Sequence, residues 1–370
     1  MNLSLVLMLF SCQKKESSAL EKTQIPLSYA QGFEIFKGDN FFEIHVTQGY
    51  TGAEKEYRYL VMEKEAALPT EGFDAVVQLP ISSVALTSTT QIPHLDILGE
   101  TTRLGAFPNL DLISSHSTRD WIAQGKVMDL GRGPSANPEL VIELEPSWIM
   151  ISTLGEDLRY LDLLSQAGIP AVINGEYVEQ HPLGRAEWIK FTGILLGKYE
   201  QAVEEFERIE LAYLEAEKLI SQAQNLARPQ VLSGVMYQDI WYAPGAESWG
   251  ARILENAGGD YIFSSQGGTG SLQLNYEFVL DQALEADFWI GSADFPDLKS
   301  MGESEPRYRA FSAWKAGKVF TYTAKTGESG GLEYFELGYL RPDLILKDLI
   351  KILHPELLPE YELYFYQKLN

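Results

Sequence analysis

Between Gly197 and Pro229 the chain carries no glycine or proline, and Val203, Phe206, Ile209, Tyr213, Ala216 and Ile220 recur at three- and four-residue steps. Glu204, Glu205, Glu207, Arg208, Glu215, Glu217 and Lys218 fill the other faces. This spacing predicts an amphipathic helix over 198–228, roughly 40 Å long. That is too long for a crossover helix within one small α/β unit, so it reads as a spine joining two lobes. Its apolar stripe lasts about three heptads, marginal for a coiled coil.

On either side of the spine the rhythm is different. Phe42, Ile44 and Val46 alternate with Glu43, His45 and Thr47, and residues 57–62 are rich in β-formers, which predicts strands within 33–64 joined at the turn Gly49-Tyr50-Thr51-Gly52. From Ser82 short apolar runs alternate with helical segments. Strands are expected at 83–86, 104–107, 148–151 and 169–173, and helices at 92–98, from Pro138, at 158–166 and at 185–196. The same alternation resumes at Pro229, with strands at 230–236, 286–291 and 319–323 and helices at 248–256, 276–283, 307–316 and 342–353. Such alternation specifies parallel sheets covered by helices. The expected fold is therefore α/β: two Rossmann-like lobes with parallel-type sheets, bridged by a single long α-helix, plus an N-terminal β-hairpin extension. The boundaries are a signal peptide (1–11), a tether (12–27), an N-terminal lobe (28–183), a bridging helical segment (184–228) and a C-terminal lobe (229–370). In open α/β sheets the carboxyl ends of the strands face a ligand crevice, so two such lobes imply a cleft between them.

A chain of 370 residues, 45% hydrophobic and 12% aromatic, can bury a large core. Its 29 Lys and Arg against 52 Asp and Glu leave a net charge of −23, which argues against nucleic acid or an anionic surface as the main partner. Cys12 is the single cysteine, so there is no disulfide framework and no thiolate metal cluster. It follows a short apolar run, residues 3–11, that is too brief to span a bilayer and suits a signal-peptide core. Leu9-Phe10-Ser11-Cys12 resembles a bacterial lipobox, in which the cysteine is lipidated, and Gln13-Lys14-Lys15-Glu16-Ser17-Ser18 reads as a polar tether. Met1-Asn2 lacks the usual basic leader, and an ordinary apolar N-terminal segment is the alternative.

Several chemistries are missing. Gly267-Gly268-Thr269-Gly270-Ser271 lacks the lysine of a phosphate-binding loop and reads as a flexible turn; neither a Gly-x-Ser-x-Gly elbow nor a His-Glu-x-x-His helix occurs. The five histidines are scattered, although His94, His116 or His181 could combine with carboxylates in a distributed metal site. Acidic pairs such as Glu303 and Glu305 could act as general acid and base, or simply be solvated.

Aromatic residues offer a better lead. Tyr237, Trp241, Tyr242 and Trp249 cluster where the second lobe's first strand meets its first helix, and Tyr334 and Phe335 follow Gly330-Gly331 near the last strand. Phe107 holds a comparable strand end in the first lobe, near the hydroxyl run Ser88-Thr89-Thr90. Aromatic faces with hydroxyls suit a bulky, partly apolar ligand; core packing is the alternative for each residue singly. There is also an internal echo. Asn137-Pro138-Glu139-Leu140-Val141-Ile142 and Asn275-Tyr276-Glu277-Phe278-Val279-Leu280 both read Asn, any residue, Glu, apolar, Val, aliphatic, and each precedes a strand. In both, Asn can cap a helix and Glu in the first turn complements its dipole.

Over roughly residues 80–350 the chain resembles the class III substrate-binding proteins of ABC importers, which bind ferric siderophores, cobalamin and haem. The resemblance rests on the segment from Asn137 to Pro146, on Gln166-Ala167-Gly168-Ile169-Pro170-Ala171-Val172 and on Pro182-Leu183-Gly184-Arg185-Ala186-Glu187-Trp188-Ile189-Lys190. Trp241-Tyr242-Ala243-Pro244-Gly245 and Arg341-Pro342-Asp343-Leu344 add to it. It implies a non-enzymatic, lipid-anchored receptor in the cell envelope, on the periplasmic side, with no cofactor of its own. The receptor would pass a reversibly bound metal chelate to permease transmembrane subunits. Glu139 and Glu277 match the family's glutamates that meet permease arginines, and Cys12 would carry the lipid. The implied ligand contacts are Ser88, Thr89, Thr90, Phe107, Arg185, Tyr237, Trp241, Tyr242, Trp249 and Tyr334. Leu86-Thr87-Ser88-Thr89-Thr90 departs from the family's serine-proline opening. With Arg185 the best cation near the cleft, a weakly charged chelate such as a hydroxamate siderophore or a corrinoid is favoured over a highly anionic catecholate. The rival readings are an envelope enzyme using cleft carboxylates on a glycan or peptide, and a receptor for bare zinc or manganese.

Overall fold

The computed structural model describes residues 21–63, 68–132, 136–155 and 158–370. Cys12, the expected signal peptide and the first part of the expected tether lie outside the described residues.

Two parallel sheets form the lobes. In the N-terminal lobe the strand order is Ala171–Ile173, Trp148–Ile151, Val84–Leu86, Leu104–Phe107, Met128–Asp129, every pair parallel. Val84–Leu86 and Trp148–Ile151 are buried at every position, as apolar runs covered on both faces should be. In the C-terminal lobe the order is Asp260–Tyr261, Gln230–Ser233, Phe288–Ile290, Val319–Thr321, Gln367–Lys368, parallel except at the last pair. Each order reverses direction once. The reversal falls between Val84–Leu86 and Trp148–Ile151 in one lobe, and between Gln230–Ser233 and Phe288–Ile290 in the other. At such a switch point the loops leaving adjacent strands diverge and open a crevice.

The spine is the unbroken helix Tyr199–Gln222, 24 residues and roughly 36 Å long, with Ala202, Phe206, Ile209, Tyr213 and Ala216 buried. It packs on Ile189–Leu195 of one lobe and Pro342–Leu353 of the other. The helix ends six residues short of the expected 228, with Ala223 extended and Asn225 at φ 55°, a left-handed conformation that asparagine tolerates. The expected 185–196 helix is two, Pro182–Glu187 and Ile189–Leu195. The expected 307–316 helix is a 3₁₀ turn, Pro306–Ala310, followed by Ser312–Lys315. The 230–236 strand breaks at Gly234 (φ 93°), where a Cβ would strike the carbonyl oxygen of Tyr242; Val235–Tyr237 joins a separate antiparallel sheet with Ile240–Pro244 and Ser271–Asn275.

The N-terminal extension is larger than a hairpin. It is a five-stranded sheet, Thr23–Ile25, Phe33–Lys37, Phe41–Val46, Tyr57–Met62 and Ala75–Gln78, so a strand lies within the stretch read as tether. One face merges with the lobe's core: Phe33 lies 4.5 Å from Trp188 and 5.8 Å from Phe191, and the Tyr59 hydroxyl accepts from the Ile173 amide at 2.9 Å. Two carboxylates, Glu179 at the end of the N-terminal lobe and Glu187 in the bridging segment, pin the strand connection. Glu187 accepts from the amides of Ser28, Tyr29 and Ala30 (2.9, 2.8 and 2.8 Å) and from Lys190 Nζ (2.7 Å). Glu179 accepts from the Gly32 amide (2.8 Å) and Trp188 Nε1 (3.1 Å). Asp348 does likewise for the C-terminal strap, accepting from the amides of Tyr364, Phe365 and Tyr366.

His94 is buried between Ile92–Ile97 and Ile189–Leu195, with Nδ1 2.7 Å from Thr192 Oγ1. Burial pulls its pKa from 6.5 down to about 3. The folded state thus holds this imidazole neutral, and the stability it contributes is intact above pH 6.5 and lost as pH falls towards 3. Between pH 7 and pH 5 the wild type should lose about 2 kcal/mol of unfolding free energy more than His94→Gln does, at about 1.4 kcal/mol per pH unit. Urea unfolding at both pH values measures this, and equal losses in the two proteins would contradict it.

Candidate functional site

The cavity that joins the lobes opens at the C-terminal lobe's switch point. Ser233, Gly234, Ile290 and Gly291, from the carboxyl ends of the two strands that diverge there, line a space of about 490 Å³. That volume is in the range of small-molecule sites. Its walls are aromatic: Tyr242, Trp249, Tyr322, Tyr334, Phe335, Tyr339 and Tyr366 from the C-terminal lobe, with Tyr177 and Arg185 from the other side. Ser248, Thr269 and Ser271 supply hydroxyls, and Arg185 is the one charged residue among the lining set.

Local chemistry explains these placements. Ser248 caps Trp249–Asn256 by accepting from the Ala251 amide, which fixes Trp249 in the first turn. The glycine run expected to be a flexible turn is instead a cavity wall. The Gly245, Ala246 and Glu247 amides donate to the carbonyls of Gly270, Gly267 and Gly268 (2.7, 3.1 and 2.9 Å). A Cβ at Gly245 would collide with Gly268 O, so glycine is required for that backbone approach. Tyr334 stacks on Tyr322 (centroids 4.9 Å, 18° between planes) and meets Tyr366 edge-on at 5.6 Å.

Arg185 spans the lobe boundary. Its Nε donates to Glu179 O (3.1 Å) and Nη2 to Tyr177 O (2.6 Å), while the guanidinium lies 4.8 Å from the Trp249 ring and 4.3 Å from that of Tyr339. Burial lowers the pKa of Arg185, opposed by the Tyr339 hydroxyl and Glu176. The Tyr339 hydroxyl is close enough to favour the charged form, yet the buried Nη1 closes no hydrogen bond of normal geometry. Glu176 is buried too, and burial raises its pKa, against the pull of Thr90, Arg185 and Asn174. The site therefore presents aromatic faces around one desolvated cation, which suits a flat or partly apolar ligand with weak negative charge.

Four of the sequence-derived candidates converge here: Arg185, Tyr242, Trp249 and Tyr334. The others do not line the cavity. Trp241 is a core residue, its Nε1 donating to Ser233 O (3.0 Å) and its ring packed 5.2 Å from Trp289. Phe107 is buried in the first lobe, and Tyr237 is 64% exposed on the hairpin leading to Ile240. Strand alternation sends Trp241 and Tyr242 to opposite faces, so adjacent aromatics could not both reach a ligand. Ser88, Thr89 and Thr90 stand at the first lobe's switch point, outside the cavity lining. Ser88 caps the 3₁₀ turn Thr89–Gln91, and the Thr90 hydroxyl donates to the Glu176 carboxylate that faces Arg185. Sequence reasoning missed Tyr177, Tyr322, Tyr339 and Tyr366; strand-end placement was the available signal for Tyr322 alone.

The echo residues Glu139 and Glu277 are both exposed. Each occupies the first turn of an asparagine-capped helix, Pro138–Leu144 capped by Asn137 and Tyr276–Ala283 capped by Asn275. The candidate histidine site does not assemble. His94 is buried on Thr192, His181 Nδ1 accepts from the Leu183 amide, and His116 opens a helix. Among the described residues no three metal-ligating side chains come together.

Comparison with known proteins agrees with this architecture. An uncharacterized lipoprotein of Methanocaldococcus jannaschii is 28% identical over 366 residues, covering 93% of this chain and 85% of the relative. A possible iron-binding (periplasmic solute-binding) protein of Staphylococcus epidermidis superimposes with a TM-score of 0.56 at 18% identity, covering 74% of this chain and 99% of the other. The periplasmic heme binding protein HutB of Vibrio cholerae does so with a TM-score of 0.55 at 15% identity, covering 72% and 99%. A model of the periplasmic binding protein family matches residues 84–326, which begins at the first strand of the N-terminal lobe and leaves the five-stranded extension outside. With well over half of its length matched, the chain belongs to the periplasmic binding protein family, whose class III members, of this fold, bind solutes rather than transform them.

Proposed function

We propose that the protein is the substrate-binding lipoprotein of an ABC importer, held on the periplasmic side of the cell envelope by a lipid on Cys12. It captures a metal chelate in the inter-lobe cavity and delivers it to the permease. The observation that carries this reading is the aromatic cavity around Arg185 at the switch point, between lobes held by one unbroken helix. A single cation among the lining residues favours a weakly charged chelate, a hydroxamate siderophore or a corrinoid, over a catecholate complex bearing several charges. The lipoprotein name of the archaeal relative supports the anchor. Glu139 and Glu277 dock the two lobes on permease arginines, where charge-assisted pairs set orientation while the anchor raises the effective concentration.

Reversing both charges, Glu139→Arg with Glu277→Arg, should reduce uptake into permease-containing vesicles by at least about tenfold, a loss of about 1.4 kcal/mol of docking free energy. Binding of the chelate recovered by mass spectrometry from natively purified protein should be unchanged. Undiminished transport would refute the docking roles. Recovery of a bare zinc or manganese ion, or turnover of a recovered molecule, would replace the chelate reading.

A further inference from the structure

Away from Arg185 the lobes touch at a second place. Thr326 to Leu332 forms a tight glycine-rich hairpin in the C-terminal lobe, closed by the Gly327 amide on Gly331 O (2.7 Å) and the Gly330 amide on Gly327 O (2.9 Å). It lies directly on residues 112–114 of the other lobe. A Cβ at Gly331 would run into the carbonyl oxygen of Leu112, and one at Gly327 would come within 2.8 Å of Ser114 Cα. The short helix Glu333–Leu337 follows, with Tyr334 and Phe335 lining the cavity. The next side chain, Glu336, turns away from the cavity and into the opposite lobe. It is 2% exposed, and its two oxygens accept from the amides of Ser114 (2.7 Å) and Ser115 (2.8 Å).

Those amides sit at the start of the helix His116–Ala123, and Ser115 is its cap, accepting from the Thr118 amide and donating to Asp96 Oδ2 (2.5 Å). A carboxyl group that accepts two aligned amides makes a two-pronged contact; burial pushes the Glu336 pKa up to about 7, against the lowering by the Ser114 and Ser115 amides and with Asp96 adding to the rise. The helix Glu333–Leu337 is also held from its own lobe, where the Tyr364 hydroxyl donates to Glu333 (2.6 Å) and Tyr334 stacks on Tyr322. The helix Glu333–Leu337 is thus tied to both lobes, and its Tyr334 and Phe335 line the cavity beside that contact.

We propose that Glu336 is a positioning residue for the cavity: by clasping Ser114 and Ser115 across the lobe boundary it fixes the helix Glu333–Leu337 and holds Tyr334 and Phe335 in place for a bound solute. This rests on the cavity being the solute site. The glycines at 327 and 331 are part of the same device, because they let the hairpin approach closely enough for the carboxylate to reach.

The test is hydrogen exchange by mass spectrometry on the full-length protein in nanodiscs, with no solute added. In Glu336→Ala the peptides containing Ser114–Ser115 and Glu333–Leu337 should exchange at least about tenfold faster, with the strand Gln230–Ser233 unchanged. Glu336→Gln, which keeps one acceptor oxygen, should recover part of the protection. Gly331→Ala should loosen the same two segments without altering the carboxylate. Wild-type exchange rates in both segments of Glu336→Ala would overturn the clasp. Titration with ferrioxamine B and with cyanocobalamin, read by tryptophan quenching, then tests positioning. The dissociation constant of the probe bound by the wild type should rise about tenfold in Glu336→Ala while the urea midpoint stays close to wild type. Faster exchange with an unchanged dissociation constant would overturn positioning, as would an equal effect on affinity and midpoint. Should the wild type bind neither probe, the chelate reading fails, and faster exchange confined to those two segments still supports the clasp.

Discussion

Glu187→Ala is expected to lower the unfolding free energy by about 3–5 kcal/mol, the range for breaking a buried ion pair by removing one partner. The carboxylate is fully buried, and its loss leaves the buried Lys190 without its counter-ion and the part-buried amides of Ser28, Tyr29 and Ala30 without their acceptor. Because those amides belong to the connection between the first two strands, the five-stranded extension should loosen first, and limited proteolysis should cut near residue 28 before it cuts the lobes. Urea unfolding gives the magnitude. A change below about 1 kcal/mol, the scale of a surface pair, would show that the network is not the anchor described above.

Arg185→Ala should be nearly as costly, about 2–4 kcal/mol, because it leaves two carbonyls in a largely buried site without their donor at about 1–3 kcal/mol each, and should act differently. The arginine comes from the bridging segment, while the rings on either side of it, Trp249 and Tyr339, belong to the C-terminal lobe. Its removal frees the carbonyls of Tyr177 and Glu179, takes the countercharge from buried Glu176 and leaves a gap between two aromatic faces. We expect unfolding to separate into two transitions, one per lobe, because a principal contact across the boundary is gone. Arg185→Lys should restore little, since a lysine ammonium cannot reproduce the planar fork that stacks between the rings and donates to two carbonyls. Differential scanning calorimetry reads both outcomes, and a single cooperative transition in Arg185→Ala would count against the clamp.

Much of this molecule was legible in the order of its residues. The long helix follows from apolar spacing without glycine or proline, and the parallel sheets follow from short apolar runs alternating with amphipathic segments. The two asparagine caps with their first-turn glutamates follow from local chemistry alone. These features are local, set by side-chain periodicity and backbone propensity within a few residues. The resemblance to the solute-binding family rested on them and on short motifs, and the family match agrees with it.

What the chain order could not determine was which aromatic lines the cavity and which fills the core. Trp241 and Tyr242 are neighbours, yet the pleat sends one into the packed interior and the other to the cavity. Tyr177, Tyr339 and Tyr366 are scattered in sequence and meet only because the sheets and the last strand bring them together. The reach of Glu336 to Ser114 spans 222 residues, and the clasp of Glu187 on Ser28 spans 159. Contacts of that separation carry no local signature: the geometry that makes a carboxylate an anchor and not a solvated charge exists only after distant segments have packed together, so tertiary packing alone decided it.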